Sequence, residues 1–207
     1  FRLLCIDTTS GKACATNRPP MYCGLNQTHR YFGDLAWWAS DSQHCYFVDA
    51  ERGDKAHRLV EFDTRSGATK VLIEEKSETQ VNASHSDDTF TLNRFLANSN
   101  ELIWWSERSG SGHLYLYDLT TGKMKSPITQ RQSSAGSSNN EWVVRNVVHV
   151  DEQRREIVIQ TSGRVPGRDP YYRDICRVQM DSGEITPVLS SDHEYVVHFV
   201  GSWSLWG

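Results

Sequence analysis

Apolar residues in this chain fall at every second position in short runs, and polar turns separate the runs. "RLLCIDTTSG" (2–11), "RLVEFDTRSG" (58–67) and "HLYLYDLTTG" (113–122) each carry an alternating run, then Asp, then a turn ending in Gly. "DICRVQMDSG" (174–183) keeps the alternation and the Gly but has Gln179 where the others have Asp. The glycines Gly11, Gly67, Gly122 and Gly183 are 56, 55 and 61 residues apart. Other pieces recur between them. "DLAWW", "TLNRFL" and "NVVHV" open the units, and a polar turn follows each. Then come the dense apolar runs "CYFV", "LIWWS" and "IVIQT", the Asp/Gly hairpin, and a last apolar piece such as "TKVLI", "KSPIT" or "ITPVL". Period-2 alternation with Val, Ile, Tyr, Trp and Phe predicts strands, and the Gly, Ser, Asn and Asp clusters predict turns. No window shows the helical period of about 3.6 residues.

Four short antiparallel strands per repeat, at this spacing, is the sequence form of a β-propeller blade. The expectation is an all-β fold, a partial β-propeller of about four blades of four antiparallel strands, filling residues 1–207 as one region. The Asp-to-Gly element reads as turn chemistry: Asp bonds amides of its own turn, and Gly supplies the positive φ. Trp37, Trp38, Trp104 and Trp105 read as packing between blades, because neighbouring strand residues point to opposite faces and a blade is covered on both. An incomplete ring leaves sheet edges open, so edge-to-edge association into a homo-oligomer is expected.

Composition narrows the partners. The net charge of −4 is mild and no basic stripe stands out, which disfavours nucleic acid. No apolar run approaches the roughly 20 residues that span a bilayer. The opening "FRLLCIDTTSG" has neither Met nor a signal layout and reads as a strand already under way, so the chain is expected to be a piece of something longer. Among Cys5, Cys14, Cys23, Cys45 and Cys176 no zinc spacing occurs, and no metal or other cofactor is implied. Buried structural thiols are the expectation, with one disulfide among Cys5, Cys14 and Cys23 as the alternative. Asn26-Gln-Thr and Asn82-Ala-Ser match the glycosylation tripeptide, which has meaning only in a protein secreted by a eukaryote.

The stretch "WWSERSGSGHLYLYD" carries more than a turn. Trp104, Ser106, Glu107, Arg108, Gly110, His113, Leu114 and Tyr115 form the pattern Trp-x-Ser-Glu-Arg-x-Gly-x-x-His-Leu-Tyr, which resembles the propeller of dipeptidyl peptidase IV-like serine peptidases of the prolyl oligopeptidase clan. "QVNASHSDDTF" (80–90) and "IQTSGRVPGRDPYYRDICRVQMDSGE" (159–184) resemble the flanking segments, so the likeness runs over about residues 30–198. The resemblance implies an N-terminal propeller capping a C-terminal α/β-hydrolase domain, with peptides carrying Pro or Ala second from the N-terminus as substrates. A Glu pair that grips the free amine and a Ser-Asp-His triad complete the family pattern. Neither transfers to this chain. Glu74-Glu75 follows "KVLI" at a strand end, without the aspartate and aromatic residue of the family motif, and Ser204 in "VGSWSLWG" lacks the G-x-S-x-G elbow. The hydrolase domain is read as absent, and no catalytic residue is assigned. "GSWSLWG" also lacks the Asp/Gly turn that a further blade would bring.

The resemblance places His85, Asp87 and Arg94 near the substrate cavity. There a His or Arg can bind a peptide carbonyl and a carboxylate can hold a cationic amine; the alternative is a solvated polar loop. Trp104, Glu107, Arg108, His113, Tyr115, Asp118 and Gly122 read as structural members of the motif. The function implied is the non-catalytic propeller portion of a serine exopeptidase, gating and positioning peptide for the hydrolase domain of its parent. The competing reading is a stand-alone propeller that binds a protein partner. A propeller glycosidase lacks its sequence boxes here. Bacterial members of the family are often periplasmic, so the resemblance leans toward a periplasmic or secreted location.

Overall fold

A computed structural model describes residues 2–20, 36–82, 92–130, 142–189, 192–193 and 197. Among these, every regular element is a strand. In chain order they are β1 (Leu4–Ile6), β2 (Ala13–Ala15), β3 (Ala36–Trp38), β4 (His44–Ala50), β5 (Ala56–Asp63), β6 (Thr69–Lys76) and β7 (Arg94–Leu96). There follow β8 (Glu101–Ser106), β9 (His113–Asp118), β10 (Lys123–Pro127), β11 (Val143–Asp151), β12 (Glu156–Ser162), β13 (Asp174–Gln179) and β14 (Ile185–Leu189). They form one two-stranded sheet, β1-β2, and three four-stranded sheets in simple chain order, β3 to β6, β7 to β10 and β11 to β14. The chain is an all-β partial β-propeller. The first repeat contributes its Asp/Gly hairpin alone among the described residues, which is why its sheet has two strands where the others have four.

By contact density the chain divides into two compact units, Phe1–Glu107 with Tyr115–Ser126, and Arg108–Leu114 with Pro127–Gly207. In the first, the β3–β6 sheet is buried on both faces. On one side Tyr46, Leu59, Leu72 and Ile73 pack with Leu102, Trp104, Tyr115 and Tyr117. On the other, Cys45, Phe47, Val60 and Phe62 are covered by Leu3, Cys5 and Cys14 of the first hairpin. With both faces covered, β4 carries the unbroken apolar run Cys45–Val48 rather than a clean alternation. Trp104 and Trp105 are buried, and Trp37 packs against the first of these clusters. Trp38 departs from the packing expectation: it is 56% exposed. It follows Trp37 on a three-residue strand and so points to the other face, where Cys45 is its register partner and the strand ends. In the second unit the β11–β14 sheet buries Val144, Val147, Ile157, Ile159, Ile175, Cys176 and Val178.

The turns at one end of each sheet are self-contained. Asp7 Oδ1 accepts the amides of Thr9 and Ser10 at 2.8 and 3.1 Å. Asp63 Oδ1 accepts Arg65 and Ser66 at 2.8 and 3.4 Å. Asp118 Oδ1 accepts Thr120 and Thr121 at 2.7 and 3.2 Å. Gln179 does the same with its amide oxygen, accepting Asp181 and Ser182 at 2.7 and 3.4 Å. The turn therefore requires an oxygen at this position and not a charge.

The glycines of two turns have a further part to play. Gly67 has φ +79°, and a Cβ there would lie 2.6 Å from the Ala15 carbonyl oxygen of β2. Gly122 has φ +71°, and a Cβ there would lie 2.8 Å from the Leu72 carbonyl oxygen of β6. Each turn lies against the outermost strand of the sheet before it, backbone to backbone. The Gly67 contact is sealed by Asn17 N donating to Gly67 O at 2.9 Å and by Thr69 Oγ1 donating to Asn17 Oδ1 at 2.8 Å.

Candidate functional site

At the opposite end of the sheets in the first unit, polar side chains are tied to one another over long sequence distances. Arg58 on β5 reaches Glu74 on β6 at 2.6 Å and Glu51 at 3.1 Å, with Asp49 on β4 at 4.0 Å. Arg18 donates to Asp49 at 2.6 Å. The Arg58 guanidinium, and after it Lys76, hold the Glu74 carboxyl below its usual value, and Glu74 in turn raises the Arg58 pKa. These residues belong together because β4, β5 and β6 pair side by side: Asp49 faces Arg58, and Arg58 faces Glu74, directly across the ladder.

Next to this network lies a small pocket lined by Val48, His57, Glu75, Asn82, Asn93 and Trp104, with Val81 and Trp105 completing its wall. Its polar groups are mostly committed to one another. The Trp104 indole N–H donates to Glu75 Oε1 at 3.1 Å. Asn82 Nδ2 donates to Glu107 Oε2 at 2.7 Å. The buried Asn93 accepts the Trp105 amide on Oδ1 at 2.9 Å, fixing the first strand of the β7–β10 sheet to its neighbour. His57 is 2% exposed, and its Nε2 lies 3.7 Å from Asp54 Oδ1, with neither atom in a hydrogen bond. Burial pushes the His57 pKa down, against the pull of Asp54, which favours the neutral ring.

The structure brings only part of the sequence-predicted site to this end. Arg94 opens β7, and its Nη1 donates to Asn93 O at 2.9 Å, beside the pocket wall. His85 and Asp87 lie outside the described residues. Glu107 reaches the pocket through Asn82, and Arg108 is exposed. His113 is fully buried in the second unit, with Nδ1 3.1 Å from Thr129 Oγ1 and its ring edge-on to Trp142 at 4.6 Å. Tyr115 is buried at 2% exposure, and Asp118 and Gly122 build the turn described above. Glu74 and Glu75 are consecutive on β6. One pairs with Arg58 and the other with Trp104, on opposite faces, so they do not converge on one ligand.

Sequence reasoning missed His57, Asp49, Asn93 and the pair Arg168–Asp174, joined at 2.7 Å with Asp174 1% exposed. The available signal was a polar residue inside an apolar run, as in "YFVDA", "AHRLV" and "TLNRFL". Among the described residues no cluster of three or more His, Cys, Asp and Glu is placed to hold a metal ion. Among the described residues no helix is long and apolar enough to cross a membrane.

The sequence model of the family described as dipeptidyl peptidase IV (DPP IV) N-terminal region matches residues 2–204. Among solved structures the chain is similar to the dipeptidyl peptidase 4 of Porphyromonas gingivalis, at 16% identity, TM-score 0.64, covering 92% of this chain and 23% of that one. It is similar also to a Bacteroides ovatus protein assigned as a dipeptidyl aminopeptidase IV, at 18% identity, TM-score 0.62, covering 89% and 25% of the two chains. At such identities the likeness to the structures shows the fold. The chain spans about a quarter of the length of either.

Proposed function

The chain belongs to the dipeptidyl peptidase IV N-terminal region family, and on that premise we propose that it is the non-catalytic propeller portion of a serine exopeptidase. Its parent removes X-Pro or X-Ala dipeptides from the N-terminus of peptides. A following α/β-hydrolase domain supplies the Ser-Asp-His triad. The propeller's task is to admit a peptide and hold it in register for that triad. The observation that carries this reading is the family match over residues 2–204. The polar end of the first unit supports it, because a positioning surface needs side chains held still by their neighbours, and Asn93, Glu75 and Glu107 are held so.

Arg94 is the residue of this chain proposed to bind a substrate carbonyl, and the sequence resemblance adds His85 and Asp87 as further candidates. The test has two parts. Purified chain alone should not turn over Gly-Pro or Ala-Pro chromogenic peptides. In the parent enzyme, Arg94→Ala should raise KM for Gly-Pro-p-nitroanilide by about tenfold with a smaller change in kcat, the pattern of a lost binding contact. Turnover by the isolated chain overturns the assignment of the chemistry to the hydrolase domain. Unchanged kinetics in the variant remove Arg94 from the substrate path. A parent reading frame without G-x-S-x-G followed by Asp and His overturns the whole reading.

A further inference from the structure

Cys5 and Cys14 sit directly opposite each other in the β1–β2 hairpin. The flanking bonds, Thr16 N to Leu3 O at 3.2 Å and Asp7 N to Lys12 O at 2.9 Å, make this a hydrogen-bonded antiparallel pair. Such pairs have Cα atoms about 5.5 Å apart, inside the roughly 4.4–6.8 Å that a disulfide accepts. Both side chains point to the same face, where they pack with Leu3 against Cys45, Phe47, Val60 and Phe62. Both are half-buried, whereas Cys45 and Cys176 are buried. Burial, and then the nearness of Cys5, pushes the Cys45 thiol up to about 11, and its Sγ is spent on the Tyr46 carbonyl at 3.7 Å. Cys45 is thereby set apart from the accessible pair.

We propose that Cys5 and Cys14 form a redox dithiol, a modification site that a small-molecule disulfide converts to a cross-strand disulfide. One cysteine, as thiolate, attacks a sulfur of the small disulfide, forms a mixed disulfide and releases one small thiol. The second cysteine, as thiolate, attacks the protein sulfur of that mixed disulfide and releases the other small thiol. Two S–H bonds are lost and one S–S bond is gained; the protein is oxidised by two electrons and the reagent is reduced to two thiols. Closing the bond asks the Cβ atoms to approach by about 1.5 Å from the separation usual at a hydrogen-bonded pair. A ladder paired over three residues per strand can supply that movement. The bond would tie together the two strands that cover one face of the β3–β6 sheet, so the redox state sets how firmly that layer holds.

The experiment treats the unaltered, folded chain with oxidised glutathione, blocks remaining thiols with N-ethylmaleimide, and digests with trypsin and chymotrypsin. Cleavage after Lys12 separates Cys5 from Cys14, and cleavage after Tyr22 separates Cys14 from Cys23. A disulfide-linked peptide pair containing Cys5 and Cys14, with Cys45 and Cys176 blocked only after denaturation, is the expected result. Amide hydrogen exchange in residues 3–16 should slow by about tenfold in the oxidised chain, and the Cys14→Ser chain given the same reagent should show no slowing. Cys5 linked to Cys23 or Cys45, separate glutathione adducts on Cys5 and Cys14, or no reaction at either thiol overturns the proposal.

Discussion

Gly67 and Gly11 hold the same place in matching turns, at φ +79° and φ +70°, yet their surroundings differ. A Cβ on Gly67 would meet the Ala15 carbonyl oxygen at 2.6 Å, while one on Gly11 would meet nothing within 4 Å. Both turns are closed by an Asp and both need the left-handed backbone. Only the first of them also lies against a neighbouring sheet. The same letters thus serve a local purpose at Gly11 and a local and a long-range one at Gly67 and Gly122. A motif can be fully accounted for by turn chemistry in one copy and only half accounted for in the next.

The most severe way to test this contrast is substitution at the glycines. Gly67→Ala and Gly122→Ala should each cost about 3 kcal/mol, because backbone strain adds to a clash with a main-chain carbonyl. Gly11→Ala should cost only about 1 kcal/mol, the strain alone. Chemical denaturation of the three variants measures it, and equal losses at Gly11 and Gly67 would break the distinction. The opposite end of the sheets sharpens it. Asn93→Ala leaves the buried Trp105 amide without its acceptor and should cost about 2 kcal/mol by the same measurement, without touching any turn. A smaller loss, about 0.5–1 kcal/mol, is expected for Asn17→Ala, which removes the acceptor of Thr69 beside Gly67.

The weakest expected effect is on pH dependence. The Ser66 hydroxyl, and then the Arg65 amide, hold the Asp63 carboxyl low, and the Ser10 and Thr9 amides do so for Asp7. The Gln43 amide, then His44, takes Asp41 from 3.8 to about 2. A carboxyl lowered in the folded state contributes its stability fully above the unfolded value, and loses it as pH falls through the folded one. His44 is raised above 6.5 by Asp41, so its share is complete below that value and is lost as pH rises through the folded one. Stability from the Asp41–His44 pair should therefore be greatest between about pH 4 and pH 6.5. His44→Ala should flatten the alkaline side of that window, and Asp63→Asn should reduce the slope on the acid side. The Gln179 turn has no titrating acceptor, so Gln179→Ala should leave both slopes alone. A changed acid slope in that variant would show that something other than the turn carboxylates sets it.

Much of the fold was legible in the sequence because its signals are local. Alternation gave the strands, and "ITPVL" coincides with β14 residue for residue. The Asp-to-Gly spacing gave the hairpins, including the deviant Gln179, whose longer side chain still delivers its oxygen to the same two amides. The docking of Gly67 and Gly122 was not legible, since the carbonyls they approach belong to the preceding repeat. Trp38 misled for a related reason: alternation says which face a residue takes, and not whether anything covers the end of that face. The pocket residues were the hardest to find. His57, Asp49 and Asn93 sit in apolar runs where a pattern reading expects only core, and Asp49 and Asn93 have partners distant in sequence. For the predicted substrate contacts, Arg94 adjoins the pocket wall through Asn93, while His85 and Asp87 fall outside the described residues.

A main-chain contact such as Gly122 against Leu72 acts as a gauge block between layers. It sets a thickness that does not depend on the size of any side chain, since neither surface carries one at the point of touch. Side chains elsewhere between the layers can then be exchanged for others of similar bulk while the gap stays constant. A stack spaced in this way can drift far in its letters and keep its pitch, so long as the residue at the gauge stays a glycine.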